Sequence, residues 1–156
     1  MKVSFTSAPG DYIGGGQSRT VTASEASFSA AVGCRNNKVS GWVNSAAFSF
    51  LFTFSAPNGA PLTPGSYPNG GRSAFRPTDL PGLDIAMDGR GCNILSGSFT
   101  VHEALYAPDE TVERFRVTFE QHCENRAPAL TGEIVLAAPP PEATRRQFYM
   151  GCQFPF

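Results

Sequence analysis

The residues of this chain best suited to chemistry fall in two short runs. Asp88, Arg90 and Asn93 stand in D-G-R-G-C-N, and Glu120 and His122 stand in F-E-Q-H-C-E. A carboxylate and an imidazole two residues apart on a strand share one face at about 7 Å, which suits a joint grip on a ligand or acid–base work. No nucleophile motif such as G-x-S-x-G accompanies them. The set therefore points to ligand binding or to structural salt bridging, Arg90 with Glu120 for instance, and the chain is not expected to be an enzyme. Glu103 follows Phe99 and Val101 on their register and needs a partner if buried, for which Arg114 or Gln121 would serve. Tyr12, Trp42, Tyr67 and Tyr106 are of the type that stacks on sugar rings, although such rings more often pack in a core or at its rim.

Other chemistries find less support. The four cysteines, Cys34, Cys92, Cys123 and Cys152, form no C-x-x-C pair, and with His102 and His122 as the sole histidines a metal site is not expected. Four cysteines allow three pairings, so one or two disulfides are open alongside four buried thiols. Gly14-Gly15-Gly16 lacks the spacing of a phosphate loop, and D-x-[DN]-x-[DN]-G, the calcium-loop pattern, is absent. No cofactor is expected. A net charge of −1 argues against an electrostatic grip on nucleic acid. No stretch approaches the roughly 18 apolar residues of a membrane span. The opening residues Met1 to Thr6 contain no apolar signal-peptide core, which by itself reads as a cytoplasmic chain.

The elements that position these residues are strands. Charged residues are only 16% of the 156, while Gly (16), Pro (13) and Phe (13) are abundant, a balance that fits short strands and many turns better than long helices. Phe48, Phe50, Phe52 and Phe54 alternate with Ser49, Leu51 and Thr53, so a period of two puts four rings on one face. Shorter strands are expected at Arg19 to Thr22, Ala26 to Val32, Val39 to Val43, Leu83 to Met87 and Gly132 to Ala137. Gly97 to Tyr106 and Val112 to Cys123 flank Pro108-Asp109-Glu110 and should form a hairpin, with a helix from Asp109 to Glu124 as the alternative. Ala56 to Pro81 is so rich in Pro and Gly that a long loop is expected, with one extended piece near Arg72 to Phe75.

After Ala137 the composition changes. Pro139-Pro140-Pro141 forms a stiff spacer, and behind it Phe148, Tyr149, Phe154 and Phe156 make an apolar terminus that should dock on its own domain or on another chain. Residues 1–137 are expected to form one domain and residues 138–156 a tail.

G-D-Y-I-G at Gly10 to Gly14, L-T-P-G-S-Y at Leu62 to Tyr67, G-R-G-C-N and F-E-Q-H-C-E together resemble an all-β domain of uncharacterised role in bacterial, often secreted, proteins. The resemblance spans about residues 7 to 137. It implies that Cys92 and Cys123 pair as a disulfide, and that the protein is extracellular or at a cell surface. It carries no activity, cofactor or ligand. Cys34, Cys152 and the tail lie outside the pattern, so a Cys34–Cys152 bond would tie the tail to the body or, alternatively, to a neighbouring chain. A Cys92–Cys123 bond would also bring Arg90 to the Glu120–His122 pair.

The expected fold is all-β, an antiparallel β-sandwich of about seven to nine strands wrapped by the Pro/Gly-rich loop. The expected function is a non-catalytic structural or self-assembly module whose tail contacts a neighbouring copy. The rival is a ligand-binding module, carbohydrate being the candidate ligand, that presents Tyr67, Arg72 and the Asp88–Asn93 turn.

Overall fold

The structure is a computed structural model and describes residues 1–137. It is all-β. Ten strands follow in order: β1 (Lys2–Ser7), β2 (Ser18–Thr22), β3 (Ser27–Val32), β4 (Lys38–Ser45), β5 (Phe48–Ser55), β6 (Gly65–Arg72), β7 (Gly82–Met87), β8 (Leu95–Tyr106), β9 (Val112–Cys123) and β10 (Leu130–Leu136). Single 3-10 turns lie at Cys34–Asn36 and Pro57–Gly59.

The strands do not separate into two packed sheets. They form one sheet in the order β2-β1-β10-β9-β8-β6-β7-β5-β4-β3. Every pairing is antiparallel except β6 with β7, which run parallel over Gly71–Gly82 and Arg72–Leu83. The expected antiparallel sandwich of seven to nine strands is thus replaced by a mixed, curled half-barrel of ten. The curl is visible in the aromatic core. Phe5 of β1 stacks on Phe48 and Phe50 of β5, with ring centroids 6.1 and 6.2 Å apart, although five strands intervene in the sheet order. Farther along, Phe54 meets Phe99 at 5.1 Å and Phe119 at 6.0 Å. Phe48, Phe50, Phe52 and Phe54 are all buried on the concave face, as their alternation requires.

Two glycines let the sheet bend so sharply. Gly41 pairs across strands with Phe52, and Gly132 pairs with Phe119. In both pairs the ring lies over the bare backbone, 2.7 Å from where a Cβ would stand. An aromatic ring covering a glycine in this way fills the inner face at a bend without a second side chain.

The β8–β9 hairpin forms and the alternative helix does not. Two strands were not foreseen. β1 alternates Val3 and Phe5 with Lys2, Ser4 and Thr6, but only two apolar residues carry that signal, and β6 lies inside the segment expected to be loop. The extended stretch there ends at Arg72, and Ser73 to Arg76 turn away.

Gln121 closes a gap that this curvature leaves. β7 touches β6 at two residue pairs only. Beyond them the fully buried Gln121 of β9 offers its carboxamide to β7: Nε2–H donates to the Ile85 carbonyl (3.0 Å) and Oε1 accepts the Ile85 N–H (2.8 Å). A side-chain amide here does the work of a strand peptide.

Candidate functional site

The β1–β2, β7–β8 and β9–β10 connections meet at one end of the sheet around the Cys92–Cys123 disulfide, whose Cα atoms are 5.4 Å apart. The bond joins the residue three before β8 to the last residue of β9. This pairing agrees with the resemblance. Cys152 lies outside the described residues, as do the tail aromatics Phe148, Tyr149, Phe154 and Phe156 and the 138–156 segment to which they belong.

Each loop is built from its own polar residues. Asp11 is buried, and its carboxylate accepts the Ser7 hydroxyl (2.7 Å) and the Gly14 N–H (2.9 Å). The G-D-Y-I-G run is therefore a structural loop knotted around one carboxylate, and it holds Tyr12 outward. Asp88 adopts a left-handed φ of 50° at the β7 turn. Its Oδ1 accepts the Ser49 N–H and its own N–H donates to the Ser49 carbonyl, both at 2.9 Å. Arg90 places its guanidinium 5.4 Å from the Tyr12 ring centroid and donates to the Tyr12 carbonyl at 3.2 Å. The Asn93 N–H donates to Glu124 Oε1 (2.6 Å), which ties the two disulfide-bearing segments a second time.

Glu120 and His122 do form a pair. His122 Nε2 lies 2.7 Å from Glu120 Oε1, and Nδ1 lies 2.9 Å from the Arg126 carbonyl. The hydrogen bond to Glu120 raises the His122 pKa, opposed by partial burial and helped by the Arg126 carbonyl. Arg90 is turned to Tyr12 rather than to Glu120. Glu103 pairs with Arg114 at 2.7 Å, while Gln121 serves β7.

Tyr67 and Arg72 stand apart from this end. Tyr67 stacks on Phe99 at 4.8 Å, and its hydroxyl donates to the Thr63 carbonyl at 2.7 Å, so the ring is committed to packing. Arg72 holds Asp84 at 3.5 Å, donates to the Asn93 carbonyl at 3.0 Å and covers the Phe75 ring at 4.7 Å. The Asn93 carbonyl is its one link to the predicted set.

Between Tyr12, Gly89, Asn93, Glu124 and Arg126 a cleft of about 500 Å³ remains. The predicted polar residues thus line or buttress one end of the molecule, and most are spent on loop geometry. Among the described residues no group of three or more His, Cys, Asp and Glu is placed to hold a metal ion. One contact escaped the sequence reading. His102 Nε2 lies 2.8 Å from Thr118 Oγ1 across β8 and β9. The pair is exposed, and among the described residues no third group orients the imidazole, so the contact serves as a cross-strand hydrogen bond.

No protein-family model matches the chain, and neither a curated protein nor a solved structure does. No helix among the described residues is long and apolar enough to cross a membrane.

Proposed function

We propose that the protein is a non-catalytic structural module that assembles with copies of itself, the tail of one copy adding to edge strand β3 of the next. The observation that carries this reading is the character of β3. It is the last strand of the sheet, with β4 on one side and, among the described residues, no strand on the other. Its sequence, S-F-S-A-A-V, has no charge, no proline and no bulge in its register with β4. Natural sheet edges are ordinarily blunted by one of those devices, and an edge left plain is a template for another strand. Cys34 follows β3 by two residues, so a bond from Cys152 of a neighbouring copy would bring that copy's tail to this edge. The Cys92–Cys123 disulfide supports an oxidising, extracellular or surface setting. Membership of the bacterial all-β family belongs to the same proposal and rests on the G-R-G-C-N and F-E-Q-H-C-E runs.

Light scattering of the full chain, with and without reductant, tests it. A multimer that dissociates on reduction, and that Ala30→Lys on β3 weakens, is expected. Ala30 is exposed, and a lysine there charges the edge without filling the core. A monomer in both conditions overturns the reading.

A further inference from the structure

Trp42 is the single tryptophan of the chain, and it is not in the core. It lies on the outer face of the sheet, 38% exposed, beside Leu51 at 50%. The register makes two parallel rows across the strands. One row is apolar and runs Trp42, Leu51, Ala86 over β4, β5 and β7. The other is polar and runs Ser40, Thr53, Asp84 over the same three strands. Two residues along a strand separate the rows by about 6.8 Å. A depression of about 440 Å³ lies over them, flanked on the β3 side only by small residues, Ser29 and Ala31.

From this arrangement we infer that the outer face of β4, β5 and β7 binds a neutral glycan chain, a sugar ring stacking on Trp42 with its hydroxyls turned to Ser40, Thr53 and Asp84. Pyranose rings carry an apolar C–H face and a polar rim, and the two rows offer the matching halves in the right order. Indole is an amphipathic platform for such a face, and few, well-placed polar groups beside an apolar wall are the usual composition of a small-molecule site. Charge narrows the ligand. Asp84 is half-buried and compensated by Arg72 at 3.5 Å, so the depression presents a carboxylate acceptor without net charge. Among the described residues lining it, an ionic ligand would find no counter-charge. Burial raises the Asp84 pKa even against the pull of Arg72, which marks its oxygens as poorly hydrated and strong acceptors. Unlike the Tyr67 and Arg72 site expected from the sequence, this one has an aromatic ring that no other ring among the described residues covers.

The lone tryptophan makes the site its own reporter. Full-length protein is titrated with cellohexaose, xylohexaose and mannohexaose while indole emission is followed, and affinities of variants are measured by calorimetry. A saturable shift in emission with at least one of these is expected. Trp42→Ala should weaken binding about tenfold or more and Trp42→Phe less, as expected when an aromatic face supplies the contact. Thr53→Val, which keeps the shape and removes the hydroxyl, should weaken it severalfold. The inference falls if none of the three sugars shifts the emission at millimolar concentration, or if Trp42→Ala, shown folded by circular dichroism, binds as the parent does. It falls also if emission shifts on dilution of the protein alone, because Trp42 would then lie in a contact between copies. Ala30→Lys should leave sugar binding unchanged, so assembly through β3 and recognition by the outer face can fail separately.

Discussion

Gln121 and His122 are neighbours with opposite fates, and the difference is burial. Gln121 is wholly buried and satisfies both backbone groups of Ile85. Replacing it with leucine leaves a buried N–H and a buried carbonyl unpaired, each worth about 1–3 kcal/mol. Gln121→Leu should therefore destabilise the fold by roughly 2–5 kcal/mol, read as a shift in the urea midpoint. His122 bonds Glu120 at the surface, where a pair contributes about 1 kcal/mol or less. Because the folded pKa of His122 is raised, the contribution is complete below the unfolded value near ~6.5 and disappears as pH rises through the folded value. Glu120→Gln should bring the imidazole titration, followed by NMR, back down towards that ordinary value. It should barely move the unfolding midpoint at neutral pH.

At the scale of elements, the β8 and β9 ends depend on the disulfide and the bends depend on glycine. Cys92 and Cys123 are 31 residues apart in the chain. Closing a loop of that length removes enough unfolded-state entropy for about 3–4 kcal/mol. A Cys92→Ala/Cys123→Ala protein should lose stability of that order in a denaturant titration. A much smaller loss would mean that the Asn93–Glu124 hydrogen bond and the surrounding packing already hold the two segments. Gly132 makes a sharper test of the curl. A Cβ there would stand 2.4 Å from the Ser4 carbonyl oxygen and under the Phe119 ring. Gly132→Ala should destabilise by about 1–3 kcal/mol through forced displacement of backbone and ring. Gly89→Ala meets no atom, but its φ of 77° should still make the change unfavourable by roughly 1 kcal/mol.

At the scale of the whole molecule, the decisive feature is a sheet that, among the described residues, curls without closing. β2 and β3 are its two edges, and only four residues, Ala23 to Ala26, connect them. A closed barrel would have abolished both edges. Here β2 carries Arg19, whose guanidinium lies 4.7 Å from the Phe48 ring centroid, while β3 carries no charge. Association should therefore be selective for β3. A Ser29→Lys/Ala31→Lys protein should sediment as a monomer under conditions where the parent multimerises, whereas Thr20→Lys on β2 should leave assembly intact. The outer-face glycan site and the β3 edge are adjacent, so an assembly that extends the sheet would set several Trp42 platforms in one row.

What the sequence by itself determined was local. The alternation of Phe48 to Phe54 set which rings face inward, because side chains of a strand alternate whatever its neighbours are. The runs on either side of Pro108-Asp109-Glu110 set the hairpin, because a turn is encoded by its own residues. The polar pair Glu120–His122 was legible for the same reason, being two residues apart on one strand. Tertiary structure decided the remainder. β6 has little but Gly, Pro, Ser and Asn to show, and it is a strand because β8 and one end of β7 offer it backbone partners. Arg90 chose Tyr12 over Glu120 because the Asp11 loop brought Tyr12 across. The single curled sheet, the role of Gln121 and the paired rows beside Trp42 all arise from register between distant segments. Strand pairing joins generic backbone groups, so its order is settled by what the assembled core can bury.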